Sequence, residues 1–244
     1  TQPAMVAVAN MATLLLKKNR ITPDYVCGLS LGEYSALSAA GVFDPETAIQ
    51  VVRERGLAME KAAEGVESAM MAILGLEREP LLNICVGCDG YVSIANYNCP
   101  GQLVIAGEKK AVEEAGQKAL DHGARRAVPL NTSGPFHTKL LKDASTRLHE
   151  VFKNVTFHEM NVPVIFNCTG KELENCSVQD MLEKQVMSPV YFEDSIRTMI
   201  NNGVDTMIEI GPGKVLSGFV RKIDKKIKTY QVEDMASLQT VSYT

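Results

Sequence analysis

The chain has 244 residues, 45% hydrophobic and 22% charged, with a formal net charge of −4. That size fits one folded unit or a main domain carrying an insert. An acidic chain with 6% aromatic residues and no Trp excludes a general nucleic-acid binder built on stacking platforms, and its apolar runs are too short to span a bilayer, so no membrane partner is expected.

Residues 1–18 predict a helix: Met5, Val8, Ala9, Ala12 and Leu16 recur at helical spacing, Thr1 can cap and Pro3 lies in the first turn. The chain therefore opens inside structured sequence, with no secretory signal. Residues 25–29 read as a short apolar strand that meets Ser30-Leu-Gly-Glu and an alanine-rich helix. Asp44-Pro45 starts a further helix, Asp44 as N-cap, running to about Ala63. From Ala69 to Leu130 the pattern changes to MMAILG (strand), EREPLLNICVGC (helix), YVSIAN and QLVIAG (strands), EKKAVEEAGQKALDHG (helix) and ARRAVPL (strand). That β-α-β-β-α-β order is the ferredoxin-like arrangement. It marks residues 67–133 as an insert.

After Gly134 come a helix beyond His137, the strand PVIFN, helices near 178–184 and 192–202, and the strand TMIEI, which ends in Gly211-Pro-Gly-Lys. Strands alternating with helices across 1–66 and 134–244 imply an α/β core with a mostly parallel sheet. The six cysteines are too sparse for a disulfide scaffold and fit reduced thiols in a cytoplasmic protein. Cys85-Val-Gly-Cys88 is a lone C-x-x-C without a nearby histidine, so no metal is expected.

Gly28-Leu-Ser-Leu-Gly32 matches G-x-S-x-G, the nucleophile elbow. Glycines two before and two after would let strand meet helix so tightly that Ser30 projects outward at a helix N-terminus. The alternative is a packing turn. A nucleophile needs a base, and of four histidines His137 stands apart. It follows the turn-rich loop NTSGPF, whereas His122 ends a helix and His149 and His158 sit among charges. A helix-capping role for His137 stays open. Arg55 is centred on its helix's apolar stripe, with Ala48, Val51, Val52, Ala58, Met59 and Ala62 around it, while Arg53 and Glu54 point elsewhere. An arginine so placed needs a partner: a substrate carboxylate held bidentately, an internal ion pair, or water reached by snorkelling. Glu209-Ile-Gly-Pro-Gly-Lys214 lacks phosphate-loop spacing.

These residues coincide with a known pattern. Through TQPAM, GLSLGEYSAL, VVRERGLAM, NYNCPGQLVIAG, SGPFH, QVMSPVYF and EIGPGKVLSGF, in order over almost the whole chain, it resembles the malonyl-CoA:acyl carrier protein transacylases of bacterial fatty-acid synthesis and the related polyketide synthase acyltransferase domains. The resemblance implies an α/β-hydrolase-like core with a ferredoxin-like insert. It makes Ser30 the acylated nucleophile, His137 its base and Arg55 the reader of the malonyl carboxylate. The backbone carbonyl of Asn202 would orient His137, the backbone N–H of Leu31 would serve the oxyanion hole, and Phe136 would select malonyl. Asn96 and Gln102 are candidate substrate contacts, and Glu209 would be structural.

No bound cofactor is implied; coenzyme A and phosphopantetheine thioesters are substrates, and acyl carrier protein and malonyl-CoA are the partners. Arg125, Arg126, Lys109 and Lys110 are candidates for steering an acidic carrier, and a monomer is expected. Two departures stand out. Leu29 replaces a histidine, and the family's N-terminal strand with its G-Q-G-x-Q loop has no counterpart in these residues, which leaves the N–H of Leu31 as the oxyanion donor. A serine hydrolase on the same elbow and a catalytically silent binding fragment are the alternatives.

Overall fold

Where apolar spacing is sustained, the chain folds as that spacing predicts. The computed structural model, which describes residues 1–242, opens with α1 (Gln2–Lys18). Its Thr1 occupies the cap position but makes no side-chain cap bond. Next come β1 (Val26–Cys27), α2 (Leu31–Ala39) and α3 (Pro45–Ala63). Asp44 caps α3 as expected, its Oδ1 accepting the N–H groups of Glu46 at 3.0 Å and Thr47 at 2.9 Å. The middle of the chain follows the order read from the sequence: β2 (Ser68–Leu74), α4 (Arg78–Val86), β3 (Val92–Cys99), β4 (Gln102–Glu108), α5 (Lys109–Asp121) and β5 (Arg126–Pro129). Then follow α6 (Lys142–Phe152), β6 (Val164–Ile165), α7 (Val178–Gln185), α8 (Phe192–Asn201), β7 (Thr206–Ile210), α9 (Val215–Ile223), β8 (Lys228–Val232) and α10 (Met235–Ser242). The sequence pattern did not anticipate β8 and α10.

The chain divides into two compact units. The first comprises Thr1–Arg53, Val155–Asn175 and the residues from Glu193 onward. Its strands are parallel, as expected, but they form two separate pairs instead of one sheet: β1 with β6, and β7 with β8. The first pair is only two residues long, Val26 facing Val164 and Cys27 facing Ile165, because the chain turns at Gly28. Ala12 and Leu16 of α1 pack with Val232 of β8 and Leu238 of α10.

The second unit comprises Glu54–Asn154 and Cys176–Phe192. Its four strands run in the order β3-β4-β2-β5, every neighbour antiparallel. Alternation along β4 covers both faces of this sheet. Leu103 and Ile105 join Leu81 and Ile84 of α4 and Val112 of α5 in one apolar cluster. Val104 and Ala106 face the other way, with Met70, Ala95 and the ring of Phe136. Among the described residues no helix is long and apolar enough to cross a membrane.

Candidate active site

In the first unit, the turn from β1 into α2 is forced by one glycine more than the other. A Cβ on Gly28 would lie 2.0 Å from the carbonyl carbon of Gly32 and 2.6 Å from the nitrogen of Glu33, closer than real atoms approach. A Cβ on Gly32 would meet nothing within 4 Å. Gly28 alone sets the tightness of the turn. Ser30 between them has φ +54° and ψ −104°, a left-handed backbone that a residue with a Cβ adopts only when its surroundings impose it. Leu31 is the first residue of α2, so its N–H has no acceptor within the helix and sits at the positive end of the dipole.

The surroundings that impose the turn are polar and buried. Asn167, 1% exposed, donates its Nδ2 to the carbonyl of Gly28 at 2.6 Å and accepts the N–H of Ser30 on Oδ1 at 2.7 Å. Its own backbone N–H donates to Oε2 of Glu33, a fully buried residue in the first turn of α2, at 2.5 Å. The Cys27 thiol next to the turn is pushed up to about 12, mainly by burial and further by Glu33, so it stays protonated. Sequence reasoning missed both Asn167 and Glu33; a polar residue closing the buried run Val164–Phe166 was the available signal.

In the second unit His137, Arg55 and Gln185 form one buried cluster, at 4%, 1% and 0% exposure. Asn202 was expected to supply the carbonyl that orients the histidine, and this is corrected: the oxygen 3.0 Å from Nδ1 of His137 is the main-chain carbonyl of Gln185. Asn202 instead closes α8, its N–H donating to Thr198 and Met199 and its Nδ2 to the hydroxyl of Tyr25. A carbonyl only accepts, so it fixes the proton on Nδ1 and leaves the Nε2 lone pair as the basic site.

Gln185 ends α7, a helix started by a Ser177–Asp180 capping box. Beyond it the chain lies along β3, where Val190 exchanges hydrogen bonds with Ala95 and Tyr97. His137 itself has φ +62°, and its N–H donates to the carbonyl of Val186 at 3.2 Å. The side-chain Oε1 of Gln185 accepts Nη2 of Arg55 at 3.2 Å. One residue therefore touches the imidazole with its backbone and the guanidinium with its side chain. Burial, and then the charge of Arg55, bring the His137 pKa down to about 4, against backbone contacts to Gln185 and Ser188 that raise it. The imidazole is neutral at neutral pH.

The remaining predicted residues fall around this cluster or elsewhere. Phe136 packs on the Ala95 and Ala106 face of the sheet. Asn96 is buried on β3 and bridged to Val190; Gln102 begins β4, its Oε1 4.0 Å from the Cys99 sulfur. Arg53 is exposed and Glu54 faces Arg147 at 3.8 Å, so the helical stripe separated Arg55 from its neighbours correctly. Glu209 caps α9, accepting the N–H groups of Leu216 at 3.0 Å and Ser217 at 2.8 Å, so a carboxylate already fills that helix N-terminus. His122 contacts the Lys118 carbonyl, and the exposed His149 faces Glu183.

Known proteins resemble this chain along its whole length. The acyl transferase domain family matches residues 1–242. A malonyl CoA-acyl carrier protein transacylase of Bacillus subtilis (strain 168) is 44% identical over 247 residues, covering all of this chain and 78% of that protein. A solved structure of MCAT from Streptococcus pneumoniae superposes with a TM-score of 0.95 at 43% identity, covering all of this chain and 80% of the other. A type II PKS acyl-carrier protein in complex with its malonyl-transacylase gives a TM-score of 0.96 at 37% identity, with the same coverage. A serine elbow, a buried histidine held by a carbonyl and a buried arginine thus accompany full-length similarity, and the chain belongs to the malonyl CoA-acyl carrier protein transacylase family.

Proposed function

We propose that this enzyme transfers malonyl from malonyl-CoA to the pantetheine thiol of an acyl carrier protein in two steps through malonyl-Ser30. In the first, the Ser30 Oγ proton passes to Nε2 of His137 as the Oγ–C bond forms at the thioester carbonyl. The N–H of Leu31 faces the developing oxyanion. The intermediate then collapses with cleavage of the C–S bond, and coenzyme A leaves with the proton from His137. In the second step the carrier thiol gives its proton to His137 and attacks the acyl-serine carbonyl; a C–S bond forms, the C–Oγ bond breaks, and His137 returns the proton to Ser30 Oγ.

Arg55 reads the free malonyl carboxylate and disfavours acetyl, which would leave a buried guanidinium without that counter-charge. The observation that carries this reading is the buried Arg55 guanidinium in one hydrogen-bonded cluster with His137. Around this chemistry we read residues 67–133 as a ferredoxin-like insert in an α/β-hydrolase-like core formed by 1–66 and 134–244. Phe136, Asn96 and Gln102 line the acyl pocket, exposed Arg125, Arg126, Lys109 and Lys110 meet an acidic carrier, and the enzyme works as a cytoplasmic monomer.

Intact mass after brief exposure to malonyl-CoA tests this. Wild type should gain one malonyl group, Ser30→Ala none, and holo carrier protein should discharge the adduct faster than water does. Discharge by water alone would make the chain a hydrolase, and no adduct on the folded protein would refute the transferase reading.

A further inference from the structure

The elbow's backbone is held by a side chain that behaves as a peptide group. In a parallel ladder, one residue donates its N–H to one residue of the partner strand and accepts, on its carbonyl, the N–H two residues further on. The β1–β6 ladder follows this pattern through Cys27 and Ile165 and then ends, because β1 turns at Gly28. Beyond that point the Asn167 side chain takes over. Its Nδ2 donates to Gly28 and its Oδ1 accepts from Ser30, two residues apart on either side of Leu29, at 2.6 and 2.7 Å. Its backbone N–H is pinned in turn to Glu33 on the helix leaving the elbow.

We propose that Asn167, fixed by Glu33, is the positioning residue of the nucleophile: its amide stands in for the missing strand rung and holds Ser30 in its left-handed conformation. This rests on the reading of Ser30 as the nucleophile. The arrangement commits the Ser30 N–H to Asn167, which leaves the N–H of Leu31 as the elbow's donor toward an oxyanion. It also demands an amide. A carboxylate has acceptors at both ends and would set an oxygen against the Gly28 carbonyl; an alanine offers neither group.

The test is the rate of Ser30 modification by a small fluorophosphonate, which needs no malonyl group, alongside kcat and KM for malonyl-CoA. Asn167→Ala should slow modification and kcat by about 5- to 150-fold, the span of two hydrogen bonds, with KM little changed. Asn167→Asp should do no better. Glu33→Gln, which keeps an acceptor for the Asn167 N–H, should retain more activity than Glu33→Leu. Phe152→Leu, a core change in α6, supplies a variant of matched melting temperature with wild-type reactivity.

Amide exchange in the wild-type chain needs no variant: the Ser30 N–H should be protected although it lies outside the helix. Wild-type reactivity in Asn167→Ala and Asn167→Asp, an equal loss in Phe152→Leu, or fast exchange at Ser30 would each overturn the proposal. Fluorophosphonate labelling that persists in Ser30→Ala would instead remove the nucleophile reading itself.

Discussion

Protonation of His137 should be visible in the stability of the protein. The imidazole titrates near 6.5 in an unfolded chain and near 4 in the folded one, because burial and Arg55 both disfavour its cation. Between those two values the unfolded state holds a proton that the native state lacks. The stabilisation is therefore complete above about pH 6.5 and is lost progressively as the pH falls toward 4. At 1.36 kcal/mol per pH unit the full loss is about 3 kcal/mol, or about 6–12 °C in melting temperature for a chain of this size. Calorimetry from about pH 7.5 down to about 4.5, on wild type and His137→Gln, isolates the contribution by difference. Wild type should lose about 2.5 kcal/mol more than the variant over that interval, most of the full loss. Parallel curves would refute the claim that a neutral, desolvated imidazole sits in the native cluster. The same displacement should appear in acylation, whose acid limb should fall well below pH 6.5 in wild type and move upward in Arg55→Ala, measured by single-turnover kinetics.

Other outcomes follow from single contacts. Gly28→Ala should unfold the elbow or abolish Ser30 modification, because its Cβ collides with the Gly32 backbone; Gly32→Ala, pointing into open space, should match or exceed wild-type melting temperature by the helix propensity gained. Gln185→Leu keeps the carbonyl that orients His137 but removes the oxygen facing Arg55. It should lower kcat/KM for malonyl-CoA by about 10- to 150-fold while leaving fluorophosphonate labelling of Ser30 near wild type. Glu209→Ala uncaps α9 and should cost about 1 kcal/mol of stability in urea denaturation, with turnover per folded molecule unchanged.

What the sequence revealed was what lies close along it. Gly28, Ser30 and Leu31 belong to one local turn, and Arg55 stood out because its neighbours three and four residues away are apolar. Asn167 reaches Gly28 and Ser30 across 139 and 137 residues, and Gln185 reaches His137 across 48, separations at which periodicity carries no information. The choice of Asn202 failed for a further reason: a main-chain carbonyl has no residue type to search for. In the second unit, β4 was legible from its short apolar run, which is buried on both faces of the sheet. β8 escaped notice because Lys228, Thr229 and Gln231 interrupt its apolar pattern and only Val232 is fully buried.

The two contacts of Gln185 differ in what a change of residue can reach. Its carbonyl toward His137 comes with any amino acid, so drift at this position leaves the imidazole oriented. Its side-chain oxygen toward Arg55 does not, and most substitutions remove it. Under the proposed mechanism, residue 185 is thus free to vary for catalysis yet constrained for reading a carboxylate. Along a lineage that turned to acyl groups without a free carboxylate, positions 55 and 185 should change together while Ser30 and His137 stay fixed.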